Sequence, residues 1–234
     1  LMASLRVTKE AAEIAALRDA AHGVDRVADE LRGVRFSGKT EREISRTVTD
    51  MTLAAGHDTV SFAIVASGPN GASPHHEPSD RVIRDGDAIV VDFGGSVRGY
   101  SSDTTRTYCV GSPPVGFEEA YAVLREAQRT AVAAVRPGVT AESIDAVART
   151  IIVDGGYGDY FIHRLGHGIG LETHEQPYLV EGNTQIIEGG MAFSIEPGIY
   201  VPDRWGMRIE DIVVAAEGGV DRLNRSSRAL RFVD

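Results

Sequence analysis

The chain has almost no sulfur chemistry to offer. Cys109 is its only cysteine, so no intrachain disulfide can form, and a reducing, cytoplasmic home is the simpler reading. Positive charge is also short, with 24 Lys and Arg against 34 Asp and Glu and a formal charge of −10. A nucleic-acid partner needs a basic face, so that class is excluded. No apolar run approaches the roughly 18 residues of a membrane span, and no signal-peptide pattern opens the chain, so no membrane partner is expected. What remains is 234 residues with 42% apolar content, one globular domain with enough chain for a sizeable core. The first residue is Leu1 rather than methionine, and Leu1 to Ser4 reads as an added or cut end of a longer protein.

Against that background the carboxylates are placed unusually. Asp92 ends the apolar run Ala88 to Val91, and Asp103 opens a Thr-rich stretch that runs to Tyr108. Gly94, Gly95 and Gly99 lie between them, which predicts a β-hairpin with its turn near Ser96 to Gly99. Cross-strand neighbours at such positions come within roughly 5–8 Å. The device repeats: Glu196 follows Met191 to Ile195, Glu210 precedes Asp211 to Val213, and Pro202 to Gly206 marks a turn. A lone Asp at a strand end is usually a turn cap. Two hairpins that each carry facing acids are different, because the acids repel unless cations sit between them. With His167 the four acids form a hard, oxygen-rich donor set suited to divalent metals rather than to a thiolate zinc site.

A faint internal repeat supports two similar halves. Gly38, Thr40, Ile44 and Gly56 recur as Gly138, Thr140, Ile144 and Gly156, a constant offset. Thr40 and Thr140 read as helix N-caps, with Glu43 completing a capping box in the first copy. Gly56 and Gly155–Gly156 read as helix stops. Longer leading helices are expected over Lys9 to Leu31 and Phe117 to Val135, with Ile14, Leu17, Ala21 and Val24 at helical spacing. A fold of two such halves would deliver one acid pair each to a common seam.

The histidines need separate treatment. His163 and His167 stand four apart, but Gly166, Gly168 and Gly170 alternate through the segment and argue against a helix there. An extended stretch is expected instead, with the His167 imidazole turned inwards. The same glycines lack the spacing of a dinucleotide fingerprint. His75 and His76 follow a loop of turn-forming residues, Gly68 to Pro74, where a histidine is ordinarily a surface residue.

Taken together, Asp92, Asp103, Gly166–Gly170 with His167, Glu196–Gly198 and Arg208–Asp211 resemble the pita-bread metallopeptidases. That family includes methionine aminopeptidase, aminopeptidase P and Xaa-Pro dipeptidase (prolidase). The resemblance runs from near Val7 to the last strand. It implies an α+β pita-bread (creatinase/aminopeptidase) fold, two pseudo-symmetric αβ halves around a curved antiparallel sheet. It also implies one catalytic domain over residues 1–234, preceded in the whole protein by an N-terminal domain. Asp92 and Asp103 would hold one divalent ion, Asp103, His167 and Glu210 the other, with Glu196 and Glu210 bridging or completing the shells. Two ions per chain are implied, manganese first, with cobalt or zinc as substitutes. His75, His163 and His174 match substrate and transition-state histidines of the proline-specific branch, Arg208 an arginine beside the last ligand, and Tyr200 a tyrosine near Glu196. The setting of Glu210, after Arg208 and Ile209, and the Pro74–His76 and Phe161–His163 segments resemble that branch rather than methionine aminopeptidase.

The expected activity is therefore cleavage of an N-terminal Xaa-Pro bond in dipeptides or short peptides, with Glu196 as general base and His75 and His174 as hydrogen-bond donors to the oxyanion. One departure stands out. Many prolidases carry an arginine for the dipeptide carboxylate where this chain has Tyr178, a substrate-side residue, so strict dipeptide specificity does not follow. The alternatives are a methionine aminopeptidase, a non-catalytic pita-bread binding protein and a metal-free hydrolase like creatinase. A homodimer is left open.

Overall fold

The computed structural model describes residues 6–234; the Leu1–Ser4 end lies outside the described residues. Helix α1 (Ala11–Glu30) starts at a capping box between Glu10 and Glu13 and buries Leu17, Ala20, Ala21, Val24 and Val27. Ile14, at the same spacing, is only partly covered. Helix α2 (Glu41–Ala54) starts at Thr40, whose side chain accepts from Glu43 N while the Glu43 carboxylate accepts from Thr40 N. That is the expected box. Helices α3 (Phe117–Ala134) and α4 (Ala141–Asp154) repeat the arrangement. Thr140 caps α4 through Ser143 N, without a reciprocal acid because Ser143 stands where Glu43 stands in the first copy.

The repeat is visible in the backbone bonds. Gly38 N donates to Ile83 O and Gly138 N to Ile187 O, while Thr40 and Thr140 bridge to Val82 and Ile186. Gly56 and Gly156 both take positive φ, 97° and 85°, which only glycine adopts without strain after a helix.

Each half packs its helices mainly on its own sheet, while Leu17 and Ala21 of α1 also reach Ala192 and Ile212 of the other half. Strands β1 (Thr59–Ser67), β2 (Ala88–Val97), β3 (Tyr100–Ser101) and β4 (Thr104–Val110) form the first, and β12 (Arg231–Val233) joins β4 in parallel. Strands β5 (Gly166–Gly168), β6 (Glu175–Leu179), β7 (Ala192–Ile195), β10 (Asp211–Ala216) and β11 (Gly219–Arg222) form the second. Between them stands the β8 (Gly198–Val201) and β9 (Trp205–Arg208) ladder. The first core gathers Val24, Leu31, Ile44, Val48, Ile89 and Phe93. The second gathers Phe117, Leu124, Ile144, Ile152, Phe193 and Ile195.

The two halves meet where β4 lies against the β9–β10 junction. Glu210 N donates to Thr105 O, and Thr107 Oγ1 donates to Arg208 O. Fully buried Arg106 donates to the Glu210 carbonyl (2.6 Å) and to Asp211 Oδ1 (2.8 Å). An unpaired buried carboxylate would be costly, so this pairing fixes the seam behind the acids.

Candidate metal centre and active site

Register decides where the acids point. The β7–β10 ladder ends at Ile195 opposite Asp211, and the β8–β9 ladder begins with Gly198 opposite Arg208. Both follow one register, so the residues between them, Glu196 and Glu210, stand directly opposite each other. The first hairpin is different in detail. Its turn is Arg98–Gly99, both at positive φ, and Asp92 pairs with Thr105 rather than with Asp103. Counting on in register sets Asp103 opposite Gly94, diagonal to Asp92 and on the same face. A Cβ on Gly94 would meet Ser102 O at 2.1 Å, so glycine is required for that approach.

His167 lies in β5, extended and buried. Its Nδ1 is 3.0 Å from Gly168 O, which makes that nitrogen an N–H donor and turns Nε2 towards the acids. Nε2 is 3.2 Å from Glu196 Oε1 and 3.5 Å from Asp103 Oδ2. Among the described residues one group of three metal-type donors closes to within 4.8 Å: Asp103, His167 and Glu210. Glu196 adjoins it through His167. Asp92 is drawn aside at its Oδ2 by Arg208 Nη2 (2.6 Å).

The electrostatics explain why such a cluster wants cations. Burial raises Asp103 to about 7, with the charge of Asp92 adding to the push. Burial also raises Asp92 and Glu210, and Glu210 is pushed further by Asp103 and Glu196. Glu196 goes the other way: burial opposes it, but the hydrogen bond and charge of His167 hold it at about 2. Two buried oxygens, Asp92 Oδ1 and Glu210 Oε1, have no partner among the described residues. Buried carboxylate oxygens are rarely left so, and a divalent ion is the partner that fits four acids and one imidazole Nε2.

Ten of the residues singled out in the sequence line one cavity of about 480 Å³: His75, Asp92, Asp103, His163, His167, His174, Tyr178, Glu196, Arg208 and Glu210. The His174 and His167 rings lie 4.2 Å apart. Burial lowers His174 and His163 to about 4, so both are neutral at pH 7. His163 differs from the other two in having both nitrogens engaged. Nε2 meets Tyr200 Oη at 2.9 Å and Nδ1 meets Arg164 O at 2.7 Å. Since Arg208 Nη1 donates to Tyr200 Oη (2.7 Å), the tyrosine hydroxyl in turn donates a hydrogen bond to His163 Nε2. The loop carrying His75 is tied down on both sides, by Pro74 O to Arg208 and by His76 Nε2 to Glu41 Oε2 (3.1 Å).

Three residues in this site were not anticipated from sequence. Thr105 Oγ1 donates to Glu210 Oε2 at 2.7 Å and accepts from Arg208 Nε. Ser194 Oγ donates to Glu196 Oε1 at 3.0 Å and accepts from His167 N. Both sit two positions from an acid on the same strand face, a signal that alternation carries. Arg164, the third, gave no such signal.

Residues 15–217 match the family model described as Metallopeptidase family M24. The chain belongs to that family. This M24 chain is 50% identical over 230 residues to the probable dipeptidase PepE of Mycobacterium tuberculosis, covering 98% of itself and 61% of that protein. It is 42% identical to the Xaa-Pro dipeptidase of Pyrococcus furiosus, covering 97% and 65%. The crystal structure of recombinant prolidase from Thermococcus sibiricus superposes with a TM-score of 0.97 at 46% identity, covering 99% of the M24 chain and 64% of the other. The fold is thus the pita-bread fold, α+β as expected. The chain spans a little over three-fifths of the length of the curated relatives it matches.

Proposed function

We propose that this chain is the catalytic part of a metal-dependent exopeptidase that cleaves the Xaa-Pro bond at the N-terminus of dipeptides or short peptides. The observation that carries the reading is the single cavity in which four acids, His167 and three further histidines converge. The names of its relatives, Xaa-Pro dipeptidase among them, supply the substrate class.

Asp92, Asp103, His167, Glu196 and Glu210 would hold two divalent ions, manganese first, which when bound supply Lewis acidity to the peptide carbonyl and lower the pKa of the attacking water. Glu196 is the general base. Its Oε1 is fixed by Ser194 and His167, and its Oε2 has no partner among the described residues. Held ionised, it takes a proton from water and returns it to the departing proline nitrogen. His75 and His174 donate to the oxyanion, each worth about 3 kcal/mol in such a role. His163, with both nitrogens engaged, positions Tyr200 and Arg164 rather than donating to substrate. Cys109 is buried, and burial raises its thiol to about 12, so it stays inert; a cytoplasmic site of action completes the reading.

The test compares an Xaa-Pro dipeptide, an Xaa-Pro-Yaa tripeptide and a Met-Ala peptide before and after chelation. Activity on the proline substrates should vanish with the metal and return with manganese. Glu196→Gln should keep the fold and lose nearly all turnover. Preference for Met-Ala would favour a methionine aminopeptidase, and full activity after exhaustive chelation would end the two-metal reading.

A further inference from the structure

We propose that Arg164 grips the C-terminal carboxylate of the substrate, so that the site prefers a dipeptide to an amide or a longer chain. The proposal rests on the Xaa-Pro peptidase reading above and names the substrate end that reading leaves open.

Two guanidinium groups line the cavity, those of Arg164 and Arg208. Arg208 is committed: it donates to Asp92, Tyr200, Thr105 and Pro74 O, and it is buried. The Arg164 side chain has no ion pair and no hydrogen bond among the described residues. It is half-buried, with its guanidinium carbon 4.7 Å from the centroid of the Tyr178 ring. A cation laid on an aromatic face keeps its N–H fork free while losing conformational freedom, which is the arrangement that suits bidentate binding of a planar anion. In a cavity of four carboxylates such a cation would be expected to pair with one of them, and it does not.

The backbone around it is fixed. Arg164 O accepts from His163 Nδ1, His163 O accepts from Arg149 Nη2, and Leu165 N donates to both Leu179 O and Asp145 Oδ1. Tyr178 is as well placed, for it pairs across the β5–β6 ladder with His167 itself. The cation therefore lies over the strand next to β5, in the cavity that also holds His174.

Geometry then selects substrate length. In a dipeptide the carboxylate lies one residue past the scissile bond, and each further residue moves it roughly 3.3–3.6 Å along an extended chain. A fixed guanidinium matches one of these positions. Guanidinium–carboxylate pairs are short, charge-assisted and directional, so an amide at the same place loses both charge and fork.

The experiment compares an Xaa-Pro dipeptide with its C-terminal amide on metal-loaded protein, using wild type, Arg164→Ala and Arg164→Lys. The wild type should favour the free acid in kcat/KM by at least about tenfold. That ratio should fall towards one in R164A, mainly through KM, with R164K between. A second readout, calorimetric binding of free proline against prolinamide, separates this claim from its parent. Acid-selective binding that depends on Arg164, with no hydrolysis of any Xaa-Pro peptide, would end the activity and keep the grip. Hydrolysis with an acid-to-amide ratio the same in wild type and R164A would keep the activity and overturn the grip.

Discussion

Nη2 of Arg208 donates to Oδ2 of Asp92 at 2.6 Å, across the seam between the two halves of the fold. The bond leaves Asp92 Oδ1 alone facing the cavity. Arg208 thereby does two things, offsetting part of the acid charge when no metal is bound and choosing which oxygen is offered. The remaining donors of the same guanidinium reach Tyr200, Thr105 and Pro74. One side chain thus orients an acid, the partner of a second acid, and the loop before His75.

Replacing Arg208 with methionine keeps most of the volume and removes every one of these bonds. Breaking a buried ion pair from one side costs about 3–5 kcal/mol, so denaturant unfolding of the chelated protein should shift by that order. Metal content after dialysis should fall as well. Arg208→Lys should recover stability better than metal content, because an ammonium restores the charge but not the fork. A methionine variant as stable and as metal-rich as wild type would show that Asp92 does not depend on Arg208.

A second prediction concerns Glu41, a fully buried acid in the first turn of α2. Its carboxylate accepts from Ser67 N and Oγ, Ser79 N and Oγ, and Asn70, and meets His76. Burial pushes its pKa up, but the Ser79 and Ser67 hydrogen bonds outweigh that and lower it. Its contribution to stability is therefore present above the ordinary carboxylate value and is lost as pH falls through the lowered one. Glu41→Gln should cost about 1–3 kcal/mol at pH 7 by turning an amide NH₂ on waiting donors. Hydrogen exchange should quicken over residues 67–79, and activity should fall because His75 rides on that loop. Unchanged exchange there would mean the loop is held by other contacts.

These residues also mark what the sequence could disclose. Glu196 facing Glu210 follows from counting along two strands towards one turn, and strand register is local arithmetic. The repeat of Thr40 and Thr140 is local too, since a cap acts within its own helix turn. Asp103 was harder: the hairpin was legible, but its diagonal offset from Asp92 depends on a two-residue turn at Arg98–Gly99. Glu41 was not legible as an anchor, because an acid in a first helical turn looks like a response to the helix dipole. Arg164 was hidden for the same kind of reason. Its platform, Tyr178, arrives only when β6 pairs with β5.

The last prediction follows from the opposed tendencies of the acids. In the metal-free protein burial and mutual repulsion raise Asp103 to about 7 and raise Asp92 and Glu210 as well. The folded state then holds protons that the unfolded chain, with carboxylates near about 4, has released. Stability linked to these groups is fully present below their unfolded values and is lost as pH rises through the folded ones, about 7 for Asp103. The chelated protein should therefore melt at a lower temperature at pH 8 than at pH 5.5. Divalent ions compete with those protons, so their uptake should release protons and tighten with pH over the same interval. Calorimetric titration with manganese in two buffers of different ionisation enthalpy counts the protons directly. More should be released at pH 6 than at pH 8, where Asp103 has already ionised. Equal release at both values would mean that Asp103, Asp92 and Glu210 are not held protonated by burial and mutual repulsion, and the case for that repulsion would fail with it.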